Sequence, residues 1–393
     1  MVREESLPRD VKFISFSAFF ADFGYQAVIV GLPLFIVLVL KAPVYYYGIA
    51  EALNYGIGSL FSYAGGILSS RYGSKKIAIL GNSLIPILSF TGFATSVTEA
   101  IGLFAGGWWL RNFRSPARRA MMSSAVSEKN RSRAYGLLHG LDVGGGILAT
   151  LMFVLLISLG YSFRLVFLVT VIPLVISTIM LIPVNNSNGM VTSTAGEGSN
   201  RKPLFSWIMI ASALFGFSYY SMGFLVLTVA IVSGKIVLGA LTYTTFLAIS
   251  SLTGFVMSRI RVKSETRILG LAGYIMAGIG ALFYALSIVF SSPVYYLYLS
   301  TLVIGLGSGV TEVLEPTIIS KISNDVGRGM GWLSASRSAG LFLANIIMGF
   351  LFFINPAYSY VYAFAVALMA GIIIILAGRT YDAKINMPMR QND

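Results

Sequence analysis

The 393-residue sequence has no cysteine and a single histidine, His139. Disulfide frameworks, thiolate nucleophiles and cysteine-ligated zinc are thereby excluded. Hydrolysis at a metal held by several histidines is excluded too. Charge is also scarce: Asp, Glu, Lys and Arg together make up 11% of the residues. Soluble domains carry about 25%. No nucleophile is spaced with a base and no phosphate loop follows a strand, so no enzymatic constellation is visible. Gly305-Leu306-Gly307-Ser308-Gly309 resembles a nucleotide loop only out of context. No cofactor or metal is expected.

What is abundant is apolar. Hydrophobic residues make up 56% of the chain, and the mean hydropathy is +0.80. Twelve apolar runs can be drawn, at 13–40, 44–69, 77–95, 97–119, 133–158, 164–183, 205–232, 236–257, 268–291, 294–318, 329–354 and 358–378. A bilayer-crossing helix needs about 20 such residues, so the expected fold is an all-α membrane protein of twelve transmembrane helices. The run at 13–40 is too long for a cleavable signal core.

Basic residues fix an orientation. Of the 28 lysines and arginines, 22 fall on one side of the twelve runs, three (Lys41, Arg164, Lys235) on the other, and three (Arg111, Arg114, Arg337) within them. The positive-inside rule then places both termini in the cytoplasm of a cell (plasma) membrane. The net charge of +13 reads as attraction to anionic lipid headgroups, not to nucleic acid, because no soluble basic domain is present.

The one long polar stretch, 184–204, separates 1–183 from 205–393. The halves echo each other at an offset near 195 residues. Ser17-Ala18-Phe19-Phe20 faces Ser212-Ala213-Leu214-Phe215, and Ile147-Leu148-Ala149 faces Phe342-Leu343-Ala344. Two pseudo-symmetric six-helix bundles follow, in parallel orientation because each half holds an even number of spans.

Between the second and third runs lies Gly66-Ile67-Leu68-Ser69-Ser70-Arg71-Tyr72-Gly73-Ser74-Lys75-Lys76. It resembles the signature loop of the major facilitator superfamily at Gly66, Arg71, Gly73, Lys75 and Lys76. Asp22-Phe23-Gly24-Tyr25-Gln26 and Arg114-Ser115-Pro116-Ala117-Arg118 are similar to a prokaryotic, largely uncharacterised branch. Ser70 stands where the signature has Asp, a residue that helps latch the cytoplasmic side in the family. The resemblance implies a monomeric transporter working by alternating access. It also implies that spans one, four, seven and ten line the central cavity.

Ionisable groups inside spans cost a few kcal/mol each, so they need partners or a wet cavity. Arg114 and Asp142 stand at equal distance from the turn between spans four and five, which predicts an ion pair. Arg337 occupies the Asp142 position in the second half, with Glu312 or Glu315 opposite; the reading is again structural. Asp22 lies near mid-membrane, with Tyr25 and Gln26 one turn on, on the same face. The resemblance adds Arg111, Tyr219, Tyr220 and Glu312 as cavity candidates. Glu51, near Asn54 and Tyr55, is placed toward the outer end of span two. Burial favours the neutral acid that a proton carrier needs, and a nearby arginine opposes it. Asp22 and Glu51 are therefore proton-coupling candidates, with structural pairing or substrate contact as the alternatives. His139 reads as a neutral residue bonded to a neighbouring helix, ahead of a proton relay.

The expected function is secondary active transport of a small organic solute, proton-coupled and directed to efflux. Uptake or facilitated transport of a polar nutrient or organic anion through Arg111 is the runner-up. A non-transporting sensor or lipid-handling protein of the same fold is the third reading.

Overall fold

The computed structural model describes residues 7–127, 130–185, 202–218, 222–260, 262, 264–323 and 326–385. Every regular element among them is helical. In chain order these are α1 (Arg9–Leu34), α2 (Tyr45–Tyr72), α3 (Ser74–Leu84), α4 (Val97–Ser124), α5 (Arg131–Ser158), α6 (Phe163–Val169) and α7 (Val171–Leu181). Then follow α8 (Lys202–Ser218), α9 (Gly223–Ser233), α10 (Ile236–Met257), α11 (Glu265–Ile268), α12 (Met276–Val289), α13 (Val294–Ile322), α14 (Val326–Ile354) and α15 (Pro356–Ile385).

Nine helical stretches among the described residues are long and apolar enough to cross a membrane. The remaining runs depart for visible reasons. Helix α2 carries six tyrosines with Glu51 and Asn54, and α4 carries Arg111, Arg114, Arg118 and Arg119. Both have the length to span but fall short in hydropathy. The seventh run appears as two shorter apolar helices, α8 and α9, on either side of residues 219–221.

Helix ends follow local chemistry. Ser96 accepts from the Glu99 backbone while Glu99 reaches back to the Ser96 amide, a capping box that starts α4. Gly73 ends α2 and starts α3 with φ +95°, a conformation that disfavours any side chain. Helix α1 widens to a π-turn over Phe35–Val39. After Leu84 the chain tightens to a 3₁₀ helix, Ile85–Phe93, with Pro86 at its start.

Contacts divide the chain into two compact units: Met1–Thr192 with Met222–Leu247, and Ser193–Ser221 with Ala248–Asp393. The division departs from the polar stretch at 184–204 in one respect, because residues 222–247 group with the first unit. There Phe224 meets the buried Tyr47 ring edge-on at 5.1 Å, and Gly223 leaves no room for a Cβ beside the Tyr47 hydroxyl.

In the first unit α1 packs on α5 and α7, and α4 packs on α2 and α3. In the second, α8 packs on α14 and α15, and α12 on α13 and α15. At an offset of 195, α8 on α14 and α15 corresponds to α1 on α5 and α7, and α12 on α13 corresponds to α3 on α4, so these contacts repeat between the units. Small residues bring the helices close. Gly145 of α5 abuts the backbone carbonyl of Phe19 on α1, and Gly65 of α2 abuts that of Phe113 on α4.

Candidate functional site

The first unit holds a buried polar cluster on α1, α4, α5 and α10. Asp22 is 5% exposed. Helical spacing stacks Gln26 one turn above it, and Gln26 Nε2 donates to Asp22 Oδ1 at 3.2 Å. The Tyr243 hydroxyl of α10 donates to Gln26 Oε1 at 2.8 Å. This chain of donors ends at Asp22, whose second oxygen, Oδ2, is buried and has no hydrogen-bond partner among the described residues. The charges acting on Asp22 are Asp142, Arg111 and Arg118.

Helix α4 supplies the cations. Arg111 is half-buried, with its guanidinium 4.9 Å from the Trp108 ring centre and 5.6 Å from that of Tyr25. Trp108 is three residues before Arg111 on one helix face, and Tyr25 meets its ring edge-on at 5.5 Å. The aromatic faces thus hold Arg111 by cation–π attraction. Its Nη1 donates to Asn112 Oδ1 at 3.2 Å, and its Nε is buried without an acceptor.

The expected Arg114–Asp142 pair is not formed. Arg114 is fully buried and donates to Asn82 Oδ1 on α3. Asp142 instead lies 3.4 Å from Arg118 Nη2. The equal-depth argument brings the right helices together but one turn off: α5 meets α4 at Arg118, and α4 packs more extensively on α2 and α3, where Arg114 finds its partner. Gly81 of α3 sits against the Arg114 stem and turns this side chain toward Asn82. Asn82 in turn donates to Ser177 and Thr178 of α7 at 3.0 and 2.8 Å. Arg118, counted with the cytoplasmic basic residues at the end of the run 97–119, is 5% exposed and belongs to the cluster.

The second unit holds the counterpart. Arg337 of α14 reaches Glu312 Oε1 at 2.7 Å and Glu315 Oε2 at 2.6 Å. Glu315 is fully buried and also receives the Tyr274 hydroxyl and, at 3.3 Å, the Ser212 hydroxyl. Glu312, expected in the cavity, is exposed and shares Arg337.

The other candidates sit apart. Glu51 and Asn54 are buried on α2, Tyr55 is half-buried, and Trp109 ties that segment to α4 by donating to the Leu53 carbonyl at 3.0 Å. Tyr219 and Tyr220 lie outside the described residues. His139, expected to bond a neighbouring helix, is exposed on α5. In the signature loop the Ser70 hydroxyl donates to its own helix at the Ile67 carbonyl, 2.7 Å away. Ser69 donates to Ser74 across the Gly73 turn, and the Arg71 guanidinium lies 5.5 Å from the Tyr72 ring centre. Gly66 meets only the Pro116 ring at ordinary contact distance, and Lys75 and Lys76 open α3.

Sequence reasoning missed Arg118, Trp108, Asn82 and Tyr243. Arg118 and Trp108 carried a signal, lying seven residues after and three before Arg111 on one helix face. Tyr243, 217 residues from Gln26, carried none.

Comparison with known proteins bears on the family and the fold. The sequence model of the Major Facilitator Superfamily matches residues 14–323. The chain is 24% identical over 394 residues to an uncharacterised MFS-type transporter of Methanocaldococcus jannaschii, covering 95% of this chain and 96% of that protein. Among solved structures it superposes on a peptide transporter POT in complex with sulfate, with TM-score 0.75, 14% identity and 95% of each chain covered. It also superposes on the nucleoside transporter NupG, with TM-score 0.68, 12% identity, and 97% of this chain and 100% of that one covered. The xylose transporter XylE from E. coli gives TM-score 0.70 at 13% identity, covering 93% of this chain and 95% of that one.

Proposed function

Because the chain belongs to the major facilitator superfamily, a family of multi-pass membrane transporters and not of enzymes, we propose that it is a proton-coupled secondary transporter with Asp22 as the proton carrier. One observation supports this most. Asp22 is buried at the middle of α1 beside Tyr25, one oxygen is held by Gln26, and the other has no partner within hydrogen-bond geometry among the described residues. A carboxylate so placed has a site for a proton and an environment that rewards neutralisation.

The remaining roles follow from this reading. Two six-helix bundles joined through 184–204 rock about the site. Both termini face the cytoplasm of the plasma membrane, with the basic loops against lipid headgroups. A single copy suffices for transport. Glu51, buried and engaged on α2, serves the outer end.

Two directions of transport are distinguishable by chemistry. Efflux of amphipathic organic compounds is favoured by the aromatic pair of Tyr25 and Trp108. Uptake of a polar nutrient or organic anion is favoured by the arginines of α4.

Proton movement in proteoliposomes, for wild type and Asp22→Asn, tests the coupling. Solute-dependent proton flux that disappears in Asp22→Asn, while counterflow exchange persists, is the expected result. Solute movement without proton flux in the wild type removes Asp22 from coupling and leaves a uniporter or exchanger.

A further inference from the structure

We infer that the cluster in the first unit binds a small organic anion, carboxylate or phosphate, through Arg111. The same inference holds that the anion and a proton on Asp22 bind together. It rests on the transporter reading above and names the class of its substrate.

The first argument is charge. Three guanidiniums, Arg111, Arg114 and Arg118, face two carboxylates, Asp22 and Asp142, so the cluster carries one positive charge in excess. Protonation of Asp22 raises the excess to two. A charge inside a span is expensive without a partner, and an anionic solute supplies one.

The second argument is hydrogen bonding. In this cluster five buried guanidinium nitrogens have no acceptor among the described residues: Arg111 Nε, Arg114 Nε and Nη2, and Arg118 Nε and Nη1. Buried donors without acceptors are rare in finished structures and mark a missing partner. Arg114 is fully buried and Arg118 is 5% exposed, so these two supply field. Arg111 is only half-buried and is the residue that touches the solute. Trp108 and Tyr25 hold its guanidinium by their rings, which leaves the N–H edge for the planar fork that pairs with a carboxylate or phosphate.

The third argument is the sign of coupling. Groups facing Asp22 are Tyr25 and Gln26 on α1, Arg111 and Arg118 on α4, and Asp142 on α5. Helices α7 and α9, also packed on α1, bring no charged side chain, and Arg164 of α6 lies over Phe93. Neutralising Asp22 removes a negative charge that competes with the solute for the arginines. Proton and anion therefore strengthen each other's binding, and the two move in the same direction.

The test is binding to the full chain in detergent micelles, read by tryptophan emission and thermal stability. The probes are acetate, succinate, benzoate, inorganic phosphate and phenyl phosphate, set against benzamide and benzyltrimethylammonium. At least one anion shifts both signals while the amide and the ammonium do not. Its affinity rises as pH falls, and this dependence vanishes in Asp22→Asn. Arg111→Gln weakens binding about tenfold or more, the range for losing a charge-assisted pair. Arg111→Lys, which keeps the charge and lacks the fork, weakens it less and guards against misfolding. Anion binding that survives Arg111→Gln, preference for the ammonium probe, or no response to any anion overturns the inference. Proton flux with a neutral or cationic solute would leave the transporter reading standing while the anion inference falls. Anion binding without proton flux does the reverse.

Discussion

In the second unit Glu315 is fully buried and accepts from Arg337, Tyr274 and Ser212. In the first, Asp22 is nearly as buried, yet among the described residues one of its oxygens has no hydrogen-bond partner and five nitrogens of the arginines around it have no acceptor. Arg337 and Asp142 occupy the same position at the 195-residue offset, so one duplicated framework carries both arrangements. The completed network has what a buried ion pair requires in order to hold its place, namely close geometry and its remaining oxygens satisfied. The incomplete one has what a transport site requires, namely groups whose best partners arrive from outside. A buried charge reads as structure or as mechanism according to whether its neighbours already satisfy it.

The largest expected effect lies in the completed network. Arg337→Met leaves Glu315 as an uncompensated buried carboxylate and lowers unfolding stability by about 3–5 kcal/mol. Adding Glu315→Gln recovers much of that loss, as thermal unfolding of both variants in detergent will show. An Arg337→Met protein as stable as wild type would remove the contrast between the units. Next is the backbone contact of α1 with α5. Gly145→Val forces a side chain into the Phe19 carbonyl and costs about 1–3 kcal/mol by overpacking. Gly73→Ala places a methyl on a backbone at φ +95°, ψ 134° and costs about 1–3 kcal/mol. A loss much larger than that would mean the turn also serves in packing. Smallest is Arg114→Met. It removes a fully buried cation with two nitrogens that lack an acceptor among the described residues, and relief of that burial offsets the lost bond to Asn82, so stability changes by less than about 1 kcal/mol in either direction. A loss as large as that of Arg337→Met would mean that Arg114 is as well satisfied as its counterpart.

Much of the architecture was legible because membrane helices announce themselves by length and hydropathy. The run drawn at 236–257 coincides with α10, and that at 133–158 begins within a turn of α5. Asp22 and Gln26 were legible as a pair, since residues four apart share a helix face. Arg111 was legible as an isolated charge. Arg118 was not, because hydropathy assigns a basic residue near a helix end to the loop, while tertiary packing buries it beside Asp142. The pairing of Arg114 missed by one helical turn: Arg118 reaches Asp142, while Arg114 goes to Asn82 of α3, on which α4 packs. Tyr243 was beyond reach, because nothing local encodes a contact across 217 residues.

The Gly145–Phe19 contact has a mechanical consequence. With no side chain between them, α1 and α5 touch backbone to backbone at the depth of Asp22, and neither can roll or slide without carrying the other. Asp22 and Asp142 therefore travel as passengers on one stiff lever at a constant spacing. Helix α4 meets this lever through side chains, Arg118 on Asp142 and Arg111 and Trp108 on Tyr25, and not through a backbone contact. The two carboxylates then act as a stationary ruler against which the arginines are read, and the proton marks which graduation is occupied.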